Sequence, residues 1–117
     1  ICFDVEFPEL ARSLALAGAQ VLLVVSANMK PYGHFHRNYV LARAQENHTF
    51  VAYCNQVGSN NSWDFVGDSC LVNPSGEIIC ELAGEEGITA GDINLSEIAR
   101  SQEVYNYLKE RRVFFEQ

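Results

Sequence analysis

Residues 1–26 read ICFDVEFPELARSLALAGAQVLLVVS, and this stretch carries the strongest information about the fold. Pro8 suits the first turn of a helix, where its missing N–H is not needed. Apolar residues then recur at helical spacing until Gly18, a residue typical of a helix C-terminus. Residues 20–26 form a continuous apolar run, which predicts a strand buried on both faces. Residues 1–3 are predicted to end another strand, so the helix connects two parallel strands by a right-handed crossover.

Strands dominate the rest of the chain. Pro74-Ser75-Gly76 lies between two apolar runs and predicts a hairpin connection. No repeat or linker divides the chain, so we expect part of a single domain of the α/β class, or α+β in some schemes. The predicted elements are a loop at 27–33, a helix at 35–47, strands at 49–56, 69–73, 77–82 and 88–93, and a last helix capped by Ser96 that runs to about Arg112.

The composition argues against several kinds of partner. Fifteen acidic residues stand against eight basic ones, and a net charge of −7 does not suit nucleic acid or an anionic membrane. No apolar run approaches the ~20 residues of a membrane helix. The four cysteines lack CxxC or CxH spacing, so we predict no metal site and no cofactor. Since no signal peptide is apparent, we expect a cytoplasmic protein.

Cys2 is distinguished by its position just before the helix that begins at Pro8. An elbow between a strand and a helix exposes a nucleophile and offers backbone N–H groups, which stabilise a thiolate and a developing oxyanion. Position alone leaves a buried structural cysteine as the alternative. The other cysteines, Cys54, Cys70 and Cys80, lie in apolar strand patterns, and we expect them to be buried free thiols.

Several short motifs follow Cys2 in a fixed order. They are Cys2-Phe3-Asp4 with Phe7-Pro8-Glu9, then Arg43-Ala44-Gln45-Glu46-Asn47, Asn55-x-x-Gly58, Gly67-x-Ser69 and Asn73-Pro74-Ser75-Gly76. Together they resemble the carbon–nitrogen hydrolases of the nitrilase/amidase superfamily over essentially the whole chain. The resemblance implies a four-layer αββα sandwich, of which residues 1–117 supply the C-terminal half, starting at the nucleophile strand, with the upstream half absent. It also implies a homo-oligomer, because members commonly pair through helical faces.

The resemblance further implies a Glu–Lys–Cys triad. Cys2 is the expected nucleophile, and the backbone N–H of Phe3 is the expected oxyanion donor. The family's Glu and Lys precede the nucleophile, whereas the two lysines here, Lys30 and Lys109, follow it and match no motif. We therefore expect these 117 residues alone to be inactive, and Glu6 and Glu9 to have supporting roles.

Other residues are expected around this centre. The loop after the strand at 20–26 borders the substrate pocket in the family, which makes Asn28, Met29 and Tyr32 the expected pocket residues. A supporting shell of polar networks that hold the cysteine loop is predicted from Asp4, Glu9, Arg12, Arg43, Glu46 and Asn47. The histidines match no triad member, and we expect His34 and His36 to be ordinary surface residues.

The preferred function is hydrolysis of a linear amide or an N-carbamoyl amine through a cysteine thioester, with release of ammonia. Members that act on anionic carbamoyl amino acids tend to carry Arg beside the nucleophile motif, whereas this chain has Val5 and Glu6, so we expect a neutral or cationic substrate. Nitrilase activity is a further alternative, although true nitrilases usually carry Trp-Glu where this chain has Phe3-Asp4. A catalytically incomplete interaction or assembly piece, and a secreted member with used glycosylation sequons, also stay open.

Overall fold

The computed structural model describes residues 1–112, and it confirms the mixed α/β class. A 3-10 turn at Cys2–Glu6, here called the Cys2 turn, precedes the first helix, so the strand end predicted at residues 1–3 was wrong. The elements that follow are α1 (Pro8–Leu16), β1 (Val21–Ser26), α2 (Gly33–Asn47), β2 (Phe50–Asn55), β3 (Val57–Ser59), β4 (Asp64–Val66), β5 (Cys70–Val72), β6 (Ile78–Glu81), α3 (Ser96–Val104) and α4 (Tyr107–Glu110).

Four strands form one sheet in the order β1-β2-β5-β6. β1 and β2 are parallel, with Val21 opposite Phe50 and Ser26 opposite Asn55, and α2 is the crossover between them. The remaining pairs are antiparallel, and the β5–β6 pair is the hairpin predicted around Pro74. The short β3–β4 hairpin forms a separate sheet that the sequence pattern did not predict. The carboxyl ends of β1 and β2 therefore lie side by side, at the edge where loops meet.

The core lies between this sheet and helices α1 and α2. Val40 and Ala44 of α2 pack with Val51 and Val72 of the sheet, and all four side chains are fully buried. Arg43 and Asn47 of the same helix are buried with them. Because these positions lie along one face of α2, the buried face of the helix carries polar groups as well as apolar ones.

The opposite face of the sheet, here called the open face, is covered by no helix or second sheet among residues 1–112, and only a segment without regular structure crosses part of it. Leu23 and Val25 point to this side and are 79% and 54% exposed, so the prediction that β1 is buried on both faces was wrong for the described chain. Cys54, opposite Val25, is exposed as well, against the expectation of a buried thiol. The described residues thus form one helix layer and one sheet layer.

Three predictions about the C-terminal part were also wrong. Residues 88–93 form no strand; they cross the open face, where a Cβ on Gly91 would come within 2.9 Å of Ile79. The last helix is divided, because Tyr105 is extended (φ −144°) and Asn106 begins α4 by accepting a hydrogen bond from the backbone N–H of Lys109. Ser96 is not the cap of α3; its own N–H donates to the Asn94 side chain. No helix within residues 1–112 is long and apolar enough to cross a membrane.

His48 attaches this C-terminal part to the end of α2. Its Nδ1 lies 2.9 Å from the Ser101 hydroxyl, and its Nε2 accepts a hydrogen bond from the backbone N–H of Tyr107 at 3.0 Å. The Ser101 hydroxyl in turn donates to the Ile98 carbonyl, so the ring has its proton on Nδ1. Burial, with a smaller contribution from the charge of Arg12, lowers the pKa of His48 below its ordinary value of 6.5. The ring is therefore held neutral by the fold.

We predict that this contact makes the stability of the protein depend on pH. Because the folded state lowers the pKa of His48, the unfolded chain binds the proton first, and stability is lost as the pH falls below about 6.5. His48→Gln should flatten the decline of the melting temperature between pH 7 and pH 5. His34→Gln, a change at an exposed histidine, should leave the decline unchanged. Parallel declines for wild type and His48→Gln would contradict the prediction.

Candidate active site

Cys2 is the first residue of its turn and has an unusual backbone conformation. Its φ is +45°, in the left-handed region that residues with a side chain rarely adopt. Such strain persists only where neighbouring structure holds it, and it is common where a nucleophile is presented. The Cys2 thiol is half-buried and forms no disulfide. The N–H of Phe3 belongs to the first turn, where backbone donors have no partner within the helix.

The Cys2 turn forms one wall of an open cleft of about 360 Å³. Cys2, Phe3 and the three predicted pocket residues all lie along this cleft. Their roles in catalysis and substrate binding stay predictions. The lining is largely apolar or aromatic, with the carboxylate of Glu6 on the same wall as Cys2. The cleft is lined by Cys2, Phe3, Glu6, Ala27, Asn28, Met29, Tyr32, Phe35 and His36.

Asn28 shapes the loop that faces Cys2. Its side chain donates to the Tyr32 carbonyl at 3.1 Å, and its backbone N–H donates to the Asn55 side chain at 2.7 Å. Asn55, at the end of β2, also donates to the carbonyls of Asn28 and Gly67. The side-chain amide of Asn28 therefore holds the shape of the loop. Asn55 supports the same loop; it was not predicted as a site residue, although it begins the Asn55-x-x-Gly58 motif.

The loop presents Met29 and Tyr32 differently. Met29 bridges to Phe65 of β4, which attaches the loop to the small hairpin. Tyr32 is 46% exposed and lies against Phe35, with ring centroids 5.8 Å apart. Lys30, between them, pairs on the exposed side with Asp64 at 2.7 Å and does not line the cleft.

Arg43 fixes the Cys2 turn to α2. It is only 5% exposed, and its Nε and Nη2 donate to the carbonyls of Val5 at 3.1 Å and Glu6 at 3.0 Å. Its Nη1 pairs with Glu46 at 2.7 Å, which balances the buried charge. Asn47 donates to the Arg43 carbonyl at 2.9 Å. Three of the predicted supporting residues thus form one network that ends on the Cys2 turn.

The other three predicted supporting residues do not reach the cleft. Asp4 is exposed at the outside of the Cys2 turn, and Glu9 is exposed on α1. Arg12 is half-buried, and its Nη1 has no hydrogen-bond partner within residues 1–112. Burial lowers the pKa of Arg12, and the nearby carboxylate of Glu46 partly offsets the effect.

His36 was wrongly expected to be a surface residue. It is 3% exposed and lies between the Tyr53 hydroxyl, 3.0 Å from Nδ1, and the Glu6 carboxylate, 3.2 Å from Nε2. The available signal was helical spacing, because His36 shares the buried face of α2 with Val40, Arg43 and Asn47. His34, on the other side of this helix, is exposed as predicted.

Comparisons with known proteins all point to one family. The family model described as carbon-nitrogen hydrolase matches residues 1–103. An (R)-stereoselective amidase from a Pseudomonas species is 40% identical over 114 residues, which cover 97% of this chain and 42% of the relative. The chain thus spans about two fifths of the length of this curated relative.

Solved structures agree with this result. Nit3 of Saccharomyces cerevisiae, a nitrilase superfamily member, has a TM-score of 0.88 at 29% identity over 96% of this chain and 42% of its own. A mutant amidase from Nesterenkonia has a TM-score of 0.76 at 34% identity, over 95% of this chain and 39% of its own. That structure shows covalent addition of the acetamide moiety of fluoroacetamide at the active site cysteine.

We predict that Arg43→Lys lowers the free energy of unfolding by about 1–3 kcal/mol, because a lysine cannot serve both buried carbonyls and Glu46 at once. Arg37→Lys is the matched control. Arg37 lies on the same helix and pairs with the exposed Glu81, so its change should stay within about 0.5 kcal/mol. Urea unfolding of the protein measures both free energies, and equal losses would contradict a special role of Arg43.

Proposed function

The chain belongs to the carbon–nitrogen hydrolase family, and from this we propose that the full-length polypeptide hydrolyses a linear amide or an N-carbamoyl amine through Cys2, with release of ammonia. The observation that carries the proposal is the placement of Cys2 at a turn with positive φ on the wall of a cleft. The amidase relatives support the reaction class, and the covalent adduct in the Nesterenkonia enzyme supports a cysteine nucleophile.

The chemistry divides one difficult step into two. The Cys2 thiolate attacks the carbonyl carbon and forms a C–S bond, while the carbonyl electrons move to the oxygen, which the Phe3 N–H stabilises. The C–N bond then breaks, and the nitrogen takes a proton and leaves as ammonia. Water attacks the thioester, and the C–S bond breaks to give the acid and the free thiol.

The base and the cation of the triad are expected outside these residues. In this family the Glu and the Lys precede the nucleophile, and neither lysine of this chain fits: Lys30 pairs with Asp64, and Lys109 lies on α4. We therefore propose that the 117 residues do not turn over substrate alone.

The second candidate function is an interaction or assembly piece without catalysis. The open face supports it, since the exposed Leu23, Val25 and Cys54 form apolar surface that needs a partner. Both functions are compatible if the partner is the remainder of the same domain. They differ in whether Cys2 reacts.

We predict that Cys2→Ala lowers kcat of the full-length polypeptide by about a thousandfold or more, because the covalent step is lost. Cys54→Ala, a change at an exposed thiol outside the cleft, should retain wild-type turnover. Ammonia release from a panel of aliphatic amides and N-carbamoyl amines measures both. Retention of a tenth of the activity by Cys2→Ala would exclude Cys2 as the nucleophile.

We also predict a preference for neutral or cationic substrates, because the Glu6 carboxylate lines the cleft and Val5 stands where a clamping Arg would be. A neutral amide should exceed its ω-carboxylate analogue at least tenfold in kcat/KM, or ~1.4 kcal/mol. Glu6→Gln should reduce this ratio, whereas Glu9→Gln, outside the cleft, should not. A preference of the wild type for the carboxylate would refute the charge argument.

A further inference from the structure

Two buried polar side chains beside the cleft have no part in the proposed reaction. His36 is 3% and Tyr53 5% exposed, and their rings meet edge to face at 5.9 Å. Burying polar groups is unfavourable unless their hydrogen bonds are made. The contacts that satisfy these two residues therefore indicate what they do.

The contacts form a single line from β2 to the Cys2 turn. The Glu6 carboxylate can only accept, so Nε2 of His36 carries the ring proton and Nδ1 accepts from the Tyr53 hydroxyl at 3.0 Å. The tautomer that accepts at Nδ1 carries its proton on Nε2, which donates to Glu6 Oε1 at 3.2 Å. With this tautomer both ring nitrogens are satisfied, and the ring joins a rigid strand to a carboxylate four residues after Cys2.

His36 and Arg43 act on the same turn from the same helix. They are seven residues apart, which places them two turns apart on one face of α2. Arg43 binds the backbone carbonyls of Val5 and Glu6, whereas His36 binds the Glu6 side chain. The turn is thus held both by its backbone and by its carboxylate.

We propose that Glu6, His36 and Tyr53 form a positioning relay that keeps the Cys2 turn, and with it the thiol and the Phe3 N–H, in the reactive arrangement. The inference rests on the proposed function of Cys2 and deepens it. His36 and Tyr53 are positioning residues, since they act through Glu6. A reacting centre displaced by about 1 Å can lose about 100-fold in rate, so a loosened turn should affect kcat more than KM.

The test separates the two contacts of His36 in the full-length polypeptide. His36→Gln can still donate to Glu6, and it should stay within about threefold of the wild-type kcat. His36→Asn is too short to reach Glu6 and should lose about 100-fold in kcat at nearly constant KM. Tyr53→Phe removes the hydrogen bond to Nδ1 of His36, and its kcat should lie between those of the two His36 variants.

Alkylation by iodoacetamide, followed by peptide mass mapping, gives a readout that needs no turnover. Cys2 should react about tenfold more slowly in His36→Asn than in wild type or His36→Gln. Cys70, buried in the core at 4% exposure, reports general opening and should stay protected in every variant. His48→Gln is the matched control: it removes another buried histidine with two contacts, away from the cleft, and should leave Cys2 alkylation and kcat unchanged.

The relay is refuted if His36→Asn keeps wild-type kcat and Cys2 alkylation. It is equally refuted if Cys70 becomes reactive in proportion to the lost activity, since His36 would then serve only general stability. Should the wild type hydrolyse no amide, the proposed function fails, while the alkylation rates of Cys2 still decide the relay.

Discussion

The buried guanidinium of Arg43 is the interaction on which the rest of this structure depends. A planar cation with five donors can serve several acceptors at once, and here it joins two backbone carbonyls of the Cys2 turn to Glu46 of its own helix. The charge can be buried because each acceptor replaces a lost water. Cys2 keeps its strained backbone because the end of its turn cannot relax away from α2.

Helix α2 connects three parts of the molecule. Its apolar face packs on β2 and β5, its polar residues hold the Cys2 turn, and the residue after its last turn, His48, holds α3 and α4. His48 has a left-handed conformation, φ +51°, which ends the helix and turns its ring toward Ser101. One helix thus determines both the geometry of the cleft and the attachment of the C-terminal segment.

Local patterns predicted most of the fold. Pro8 and Gly18 bounded α1 correctly, and Pro74-Ser75-Gly76 identified the β5–β6 hairpin, because turn and cap chemistry is read from a few neighbouring residues. The errors arose where residues distant in sequence decide whether a side chain is buried. Whether both faces of β1 are covered depends on other layers, and the wrong prediction for His36 depends on partners 30 and 17 residues away, Glu6 and Tyr53. The three predicted pocket residues line the cleft because a loop after a parallel strand faces the edge where such sites form, and their contact with substrate stays a prediction.

The position of β1 at one end of the sheet has a geometric consequence. Its outer side presents a row of backbone N–H and C=O groups with no strand beside it among residues 1–112. A strand that adds there in parallel extends the sheet and shares the polarity of β1 and β2. Its last residue then lies beside Ser26, directly before Ala27 on the wall of the cleft. A strand that enlarges the sheet on this side therefore also brings new side chains to the cleft that Cys2 lines.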